Sequence, residues 1–409
     1  MKVVLNIMFF IQVTISLVAG QSLNFFNMQD LNKIKVEYRE NGEFKKEIET
    51  LQYLADLAIE KGPYTITKYT APYAKDATIN DYYSDSPYWW PIEGEPNLPY
   101  IRRDGERNPD RFMDHKNELS IFYKGILALT FYNYFSDNHL YEEKVNELLN
   151  IWFIEKSTRM NPNLKYSQLI RNRTRPRGVG IIDGRRLAVL TEAIILLKSQ
   201  GRIKDYIYEG VKAWYTEYLD WLTTSIYGLD EKKRGNNHGT WWAVQISAIS
   251  NFLQIDDNIN FIDSHSKHFL LDNQIDAYAR QPLEEERTRS LDYSVFNLTA
   301  HSYLNSTLLN YNINNWKYLN KNGKTLIEVI EFLIPFMEHP EDWEITQINN
   351  FDNSKPLFLG FAGIDLQNLE YLKLYNKLSY YEEKDLNKPT FDPMQIILDS
   401  VVKMKLTNN

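Results

Sequence analysis

Ile207, Val211, Trp214, Tyr218 and Trp221 follow one another at alternating steps of four and three, which places all five side chains on one stripe of a helix. The same period returns in Phe44 to Ile59, Leu119 to Phe135, Val145 to Trp152, Leu187 to Leu197, Ile246 to Leu253, Leu326 to Phe336 and Ile364 to Tyr375. Strand-like alternation is scarce, so the chain reads as all-α. Many helices joined by loops of mixed length suit either an α-solenoid or a closed α/α toroid of antiparallel pairs. No fixed sequence period is visible, which disfavours the solenoid.

Such a ring needs a large core. With 409 residues, 43% of them hydrophobic and 14% aromatic, the chain has the apolar material for one. It has no Cys, so neither disulfides nor thiolate metal sites contribute. Lys and Arg number 46 against 54 Asp and Glu, a formal charge of -8, which argues against nucleic acid as the main partner. A local Arg cluster can still hold a polyanion on an acidic molecule. Near the start, Lys2 precedes an apolar run from Val3 to Val18 and the small pair Ala19 and Gly20. This pattern reads as a signal peptide over residues 1–20, leaving 21–409 as a single secreted domain with no membrane partner after cleavage. Sequons stand at Asn172, Asn297 and Asn305 and are compatible with a glycoprotein.

Three stretches break the helical pattern and are rich in Pro, Gly, aromatics and Arg: Tyr69 to Pro109, Asn161 to Asp183, and Gly235 to Trp242. Long loops of this composition are more often functional than disordered. In the last, Asn236, Asn237 and His238 precede the helix that holds Gln245, so two carboxamides and a titratable imidazole meet at a helix N-terminus. Ordinary capping by Asn explains the same residues. Arg287 and Arg289 stand just before Tyr293, where guanidinium groups would favour the phenolate; a surface Arg pair beside a core Tyr is the plain alternative. Trp89 and Trp90, followed by Arg102 and Arg103, offer faces for sugar rings and forks for carboxylates, or a lid over the core. His265 and His268 lie three apart, yet no tight ligand spacing appears, and neither a metal nor any other cofactor is expected.

Six collinear words resemble the alginate-lyase superfamily of polysaccharide lyases, which includes enzymes acting on glucuronan. They are YWWP from Tyr88, LPYIRRDGERNP from Leu98, MNPNLKYSQ from Met160, GIIDGR from Gly180, NNHGTWW from Asn236 and RTRSLDYSVFNL from Arg287. The resemblance implies an α/α toroid (an incomplete α/α barrel) with a deep groove for an anionic polyuronate. It also implies cleavage by β-elimination without a cofactor. Its catalytic residues fall on Asn237, His238 and Tyr293, with Arg287 as the nearby Arg and Arg289 as second candidate, because the family's Arg position is here Glu286. Asn236, Trp89, Trp90, Arg102, Arg103, Tyr166, Gln168 and Trp241 are expected to bind substrate.

The chemistry agrees with that assignment. The C5 proton of a uronate becomes acidic only when its carboxylate is neutralised or hydrogen-bonded, here by Asn237 and an Arg, and a base and an acid must then serve C5 and O4. Two other readings compete. One is a toroidal glycoside hydrolase using carboxyls such as Asp104, Asp183 or Asp292. The other is a binding protein that keeps the groove without turnover.

Overall fold

The computed structural model describes residues 21–95, 97–173, 177–351, 356–378 and 392–407. The signal-peptide reading therefore lies outside the described residues. Helices α1 (Met28–Asn41), α2 (Lys45–Lys61), α3 (Asp114–Ser136) and α4 (Leu140–Phe153) form the first quarter. They are followed by α5 (Arg185–Ser199), α6 (Asp205–Thr224), α7 (Ile226–Lys232), α8 (Asn237–Leu253) and α9 (Asp256–His265). After the short turns α10 (Asp272–Gln274) and α11 (Pro282–Glu285) come α12 (Ser290–Leu309), α13 (Leu326–Glu338), α14 (Leu357–Asp365), α15 (Leu369–Leu378) and α16 (Pro393–Thr407).

Helices α3, α5, α8, α12 and α14 pack side by side in that order, and α16 links α14 back to α2 and α3, closing the ring. Their sequences explain why they stand inside. From Phe122 to Phe135 every residue of α3 except Lys124 is buried, as is Leu187 to Leu197 of α5 and Gly239 to Phe252 of α8. A helix apolar on all sides has no face to give to water. Helices α2, α4, α6, α9 and α15 instead bury one stripe and expose the other, which suits the outer layer. Layers interlock through aromatics: Phe122 of α3 stacks on Trp152 of α4 with centroids 4.3 Å apart. Replacing Phe122 with Ala should cost about 3–5 kcal/mol of stability, read by urea denaturation. A loss under about 1 kcal/mol would mean this contact does not hold the two layers.

Strand β1 (Tyr83–Asp85) pairs in parallel with β4 (Tyr166–Leu169), while β2 (Trp89–Trp90) and β3 (Ile101–Arg102) form an antiparallel pair with Trp89 opposite Arg102. Three expectations change. The run Ile364 to Tyr375 is two helices, because the Asn368 side chain accepts the Glu370 N–H at 3.0 Å and starts α15, with Gln367 at φ 55° before it. Most of the Gly235 to Trp242 stretch is helical, since α8 begins at Asn237. Asn297 and Asn305 are fully buried and hydrogen-bonded inside α12, which leaves no room for a glycan on either. Among the described residues no helix is long and apolar enough to cross a membrane.

Candidate active site

A groove of about 900 Å³ opens on one face of the ring, between the first long loop, the segment from Gln168 to Arg186, the start of α8 and the segment from Leu283 to Phe296. The start of α8 is built by capping. The Asn236 side chain accepts the His238 backbone N–H at 3.3 Å. A Cβ on Gly239 would collide with the Arg234 carbonyl, so only Gly allows the preceding turn to close this tightly. That turn carries α7 beneath α8. From it the fully buried Glu231 places Oε1 2.6 Å from His238 Nδ1. A carboxylate is an acceptor, so Nδ1 carries the proton and Nε2 keeps its lone pair.

Asn237 is buried and borders the groove. Its backbone N–H donates to Glu284 Oε1 and its Nδ2 to Glu284 Oε2, each at 2.6 Å, while its Oδ1 has no hydrogen-bond partner.

Tyr293 sits in the first turn of α12, its hydroxyl 2.7 Å from that of Tyr88 and accepting from Arg287 Nη2 at 2.9 Å. Arg287 also lies 3.9 Å over the Tyr293 ring and donates through Nε and Nη2 to Asp104 at 3.0 and 2.7 Å. Gly105 makes that pairing possible. Its φ is 78°, and a Cβ there would run into Thr288 Oγ1. The expectation of a stabilised phenolate fails. Burial first, and the Tyr88 hydroxyl second, push Tyr293 well above the ordinary phenol range, and the opposing charge of Arg287 is outweighed. Tyr293 rests as a neutral acid.

The structure separates the other expected residues. Asn236, Trp89, Arg102, Gln168 and Arg289 line the groove beside Asn237, His238, Arg287 and Tyr293. Arg289 is turned to Asp292, so of the two Arg candidates it is Arg287 that touches Tyr293. Four of the expected substrate-binding residues do not line the groove. Trp241 is buried behind it against Phe296 and Tyr303, because α8 is an inner helix. Trp90 and Arg103 are occupied with each other, 4.8 Å apart, on the outer side of the β2–β3 hairpin. Tyr166 donates its hydroxyl to the Asp76 carbonyl. Gln245 is fully buried and accepts from Tyr218. His265 stacks between Phe261 and Phe269, and His268 meets the Tyr318 hydroxyl, so the two do not form a ligand pair.

Several groove residues were not singled out from the sequence: Tyr88, Arg111, Lys116, Arg177, Arg185 and Arg186. Tyr88 and Arg185 lie within words quoted above, and that was the available signal. For Glu231 and Glu284, inside ordinary polar helices, there was none.

These cations crowd one another. Burial, then Arg186, pushes Arg185 down to about 10; burial, then Arg234, Arg173 and Arg102, does the same to Arg177. Arg111 is lowered by burial and by Arg107. Like charges gathered in a partly desolvated cleft are costly unless an anion enters. Three carboxyls at or near the groove, Asp183, Asp104 and Asp292, are paired with cations. Burial works against ionisation of Asp183, yet Lys116 at 2.9 Å and the hydrogen bonds of Ser84 and Gln168 hold it down to about 2. Arg287 and Thr288 likewise keep Asp104 well below its ordinary range against the effect of burial, and Asp292 pairs with Arg289. Neither Asp183 nor Asp104 is the raised carboxylic acid that glycoside hydrolysis needs.

The sequence model of a family described as Alginate lyase matches residues 65–343. Among solved structures, an alginate lyase from Bacteroides ovatus is 27% identical with a TM-score of 0.82, over 93% of this chain and 99% of that one. An alginate lyase from a Sphingomonas species is 16% identical with a TM-score of 0.53, over 88% and 94%. A variant of that enzyme complexed with a tetrasaccharide aligns with a TM-score of 0.54 at 15% identity, over 88% and 94%. At these lower identities only the fold is shared. No curated protein sequence matches.

Proposed function

The chain belongs to the alginate lyase family and is a polysaccharide lyase; from this premise we propose that it is a secreted enzyme that breaks 4-linked polyuronates, alginate or glucuronan, by β-elimination. The observation that carries the substrate class is the gathering of Arg102, Arg107, Arg111, Arg177, Arg185 and Arg186 along one groove of an acidic protein. A chain of uronate carboxylates relieves that repulsion at several points at once.

Each group then has a task. Asn237 and Arg287 meet the C6 carboxylate of the reacting sugar and stabilise the charge that spreads into it as C5 is deprotonated. His238 takes the C5 proton on Nε2, oriented through Nδ1 by Glu231. The C5–H electron pair forms the C4–C5 double bond, the C4–O4 bond breaks, and O4 takes the hydroxyl proton of Tyr293. Solvent exchange then returns a proton to Tyr293 and removes one from His238. Arg102, Arg289, Trp89, Gln168 and Asn236 are assigned to the flanking sugars. The apolar run ahead of Gln21 supports export.

The test is ultraviolet absorbance with separate solutions of polymannuronate, polyguluronate, glucuronan and a neutral glucan. We expect a rise on a polyuronate, from the conjugated double bond, and none on the glucan. Reducing ends released without any absorbance change would replace elimination by hydrolysis.

A further inference from the structure

Asn237 is assigned, with Arg287, to the carboxylate of an anionic sugar, yet its Nδ2 is already directed at Glu284 and the corner left without a partner is an oxygen. An amide oxygen repels a carboxylate. Side-chain oxygen and nitrogen of Asn have nearly the same shape, so the chemistry of the partner decides which corner faces which way.

We propose that Glu284 is a positioning residue that works as a neutral acid: its Oε1 accepts the Asn237 backbone N–H, its protonated Oε2 donates to the Asn237 side-chain oxygen, and the amide nitrogen is thereby turned to the groove. The same two 2.6 Å contacts serve this arrangement with the direction of one hydrogen bond reversed. The inference rests on the uronate reading of the groove, because only an anionic ligand rewards the reversed amide. Surroundings support the neutral form. Glu284 is 1% exposed, and burial raises its pKa despite the two bonds from Asn237 and the charges of Arg287 and His238 nearby. The other charges around it are committed: Glu285 to Arg280, Glu231 to His238, and Arg287 to Asp104. Glu286 lines the groove. An ionised Glu284 would fix the amide with its nitrogen inward and its oxygen toward substrate.

The sign follows directly. Turnover needs the protonated carboxyl, so the contribution of Glu284 is present at low pH and disappears as pH rises through its raised pKa. Glu284→Gln mimics the neutral acid permanently, with Oε1 accepting from the Asn237 N–H and Nε2 donating to the Asn237 oxygen. We expect E284Q to keep kcat within about threefold of wild type near neutrality, less than 1 kcal/mol of barrier, and to hold its activity further into the alkaline range. Glu284→Leu, which offers no hydrogen bond, should lose at least about tenfold in kcat. A readout without turnover accompanies these rates: the infrared difference between wild type and E284Q at neutral pH, where the carboxylic C=O band of a protonated Glu must appear in wild type and vanish in the variant. Absence of that band overturns the proposal. So does a folded E284Q that is inactive at every pH, or one whose pH profile superposes on that of wild type. If wild type eliminates no polyuronate, the functional reading fails instead, and the infrared band still decides the state of Glu284.

Discussion

Tyr293→Phe is expected to lower kcat on the preferred polyuronate by about 10²–10⁴-fold, the range associated with loss of a positioned acid. The change removes one oxygen. The ring that Arg287 covers at 3.9 Å remains, and Arg287 keeps its two bonds to Asp104, so polymer affinity and melting temperature should change little. The hydroxyls of Tyr88 and Tyr293 are 2.7 Å apart, and each loses a partner if the other is removed. Because burial and Tyr88 hold Tyr293 above the ordinary phenol range, its acid form persists through neutral and mildly alkaline pH. Loss of activity in that range must then come from another group. Initial rates of absorbance, set beside calorimetric affinity for an oligouronate, check the prediction. A Phe variant within tenfold of wild type would remove Tyr293 from the reaction.

His238→Ala should cost about as much, because the base that takes the C5 proton is lost, and added imidazole should restore part of the rate. Glu231→Gln probes the same step from behind. A carboxamide can present its NH₂ to Nδ1, which puts the imidazole proton on Nε2 and blocks the lone pair that faces substrate. A kcat loss of at least about tenfold is expected, with KM nearly unchanged. In the doubly substituted protein no further loss should follow, since Glu231 acts only through His238. Two outcomes would rewrite the assignment. If His238→Ala stays within tenfold of wild type, Tyr293 performs both proton transfers on one face of the sugar. If Glu231→Gln and His238→Ala add in full, Glu231 serves the fold rather than the reaction.

Much of this is legible in the sequence. Period marks α2 to α6, α8 and α13 and leaves α1, α9 and α16 unmarked, while the words around Asn237, His238, Arg287 and Tyr293 name residues that converge on one groove. Where the reading failed, the missing information was tertiary. Trp241 and Tyr166 stand in the matching words and have side chains that suit a sugar, yet Trp241 sits on an inner helix and faces the core, and Tyr166 gives its hydroxyl to the Asp76 carbonyl. The break between α14 and α15 was missed because Asn368 caps a helix only once the chain has turned at Gln367.

The sequence by itself determined the helical class, the ring rather than a repeat array, and the identity of the groups able to neutralise a carboxylate and move protons. The first two are local properties set by spacing, and the third follows from the resemblance of six collinear words. Tertiary structure alone decided their states. Glu231 and Glu284 are ordinary polar positions along α7 and α11, and become an orienting and a positioning carboxyl only because α8 is laid across both. Tyr293 is an acid rather than a phenolate because burial beside Tyr88 outweighs the charge of Arg287. Desolvation and the balance of competing charges are sums over every neighbour in space, and the linear chain does not contain them.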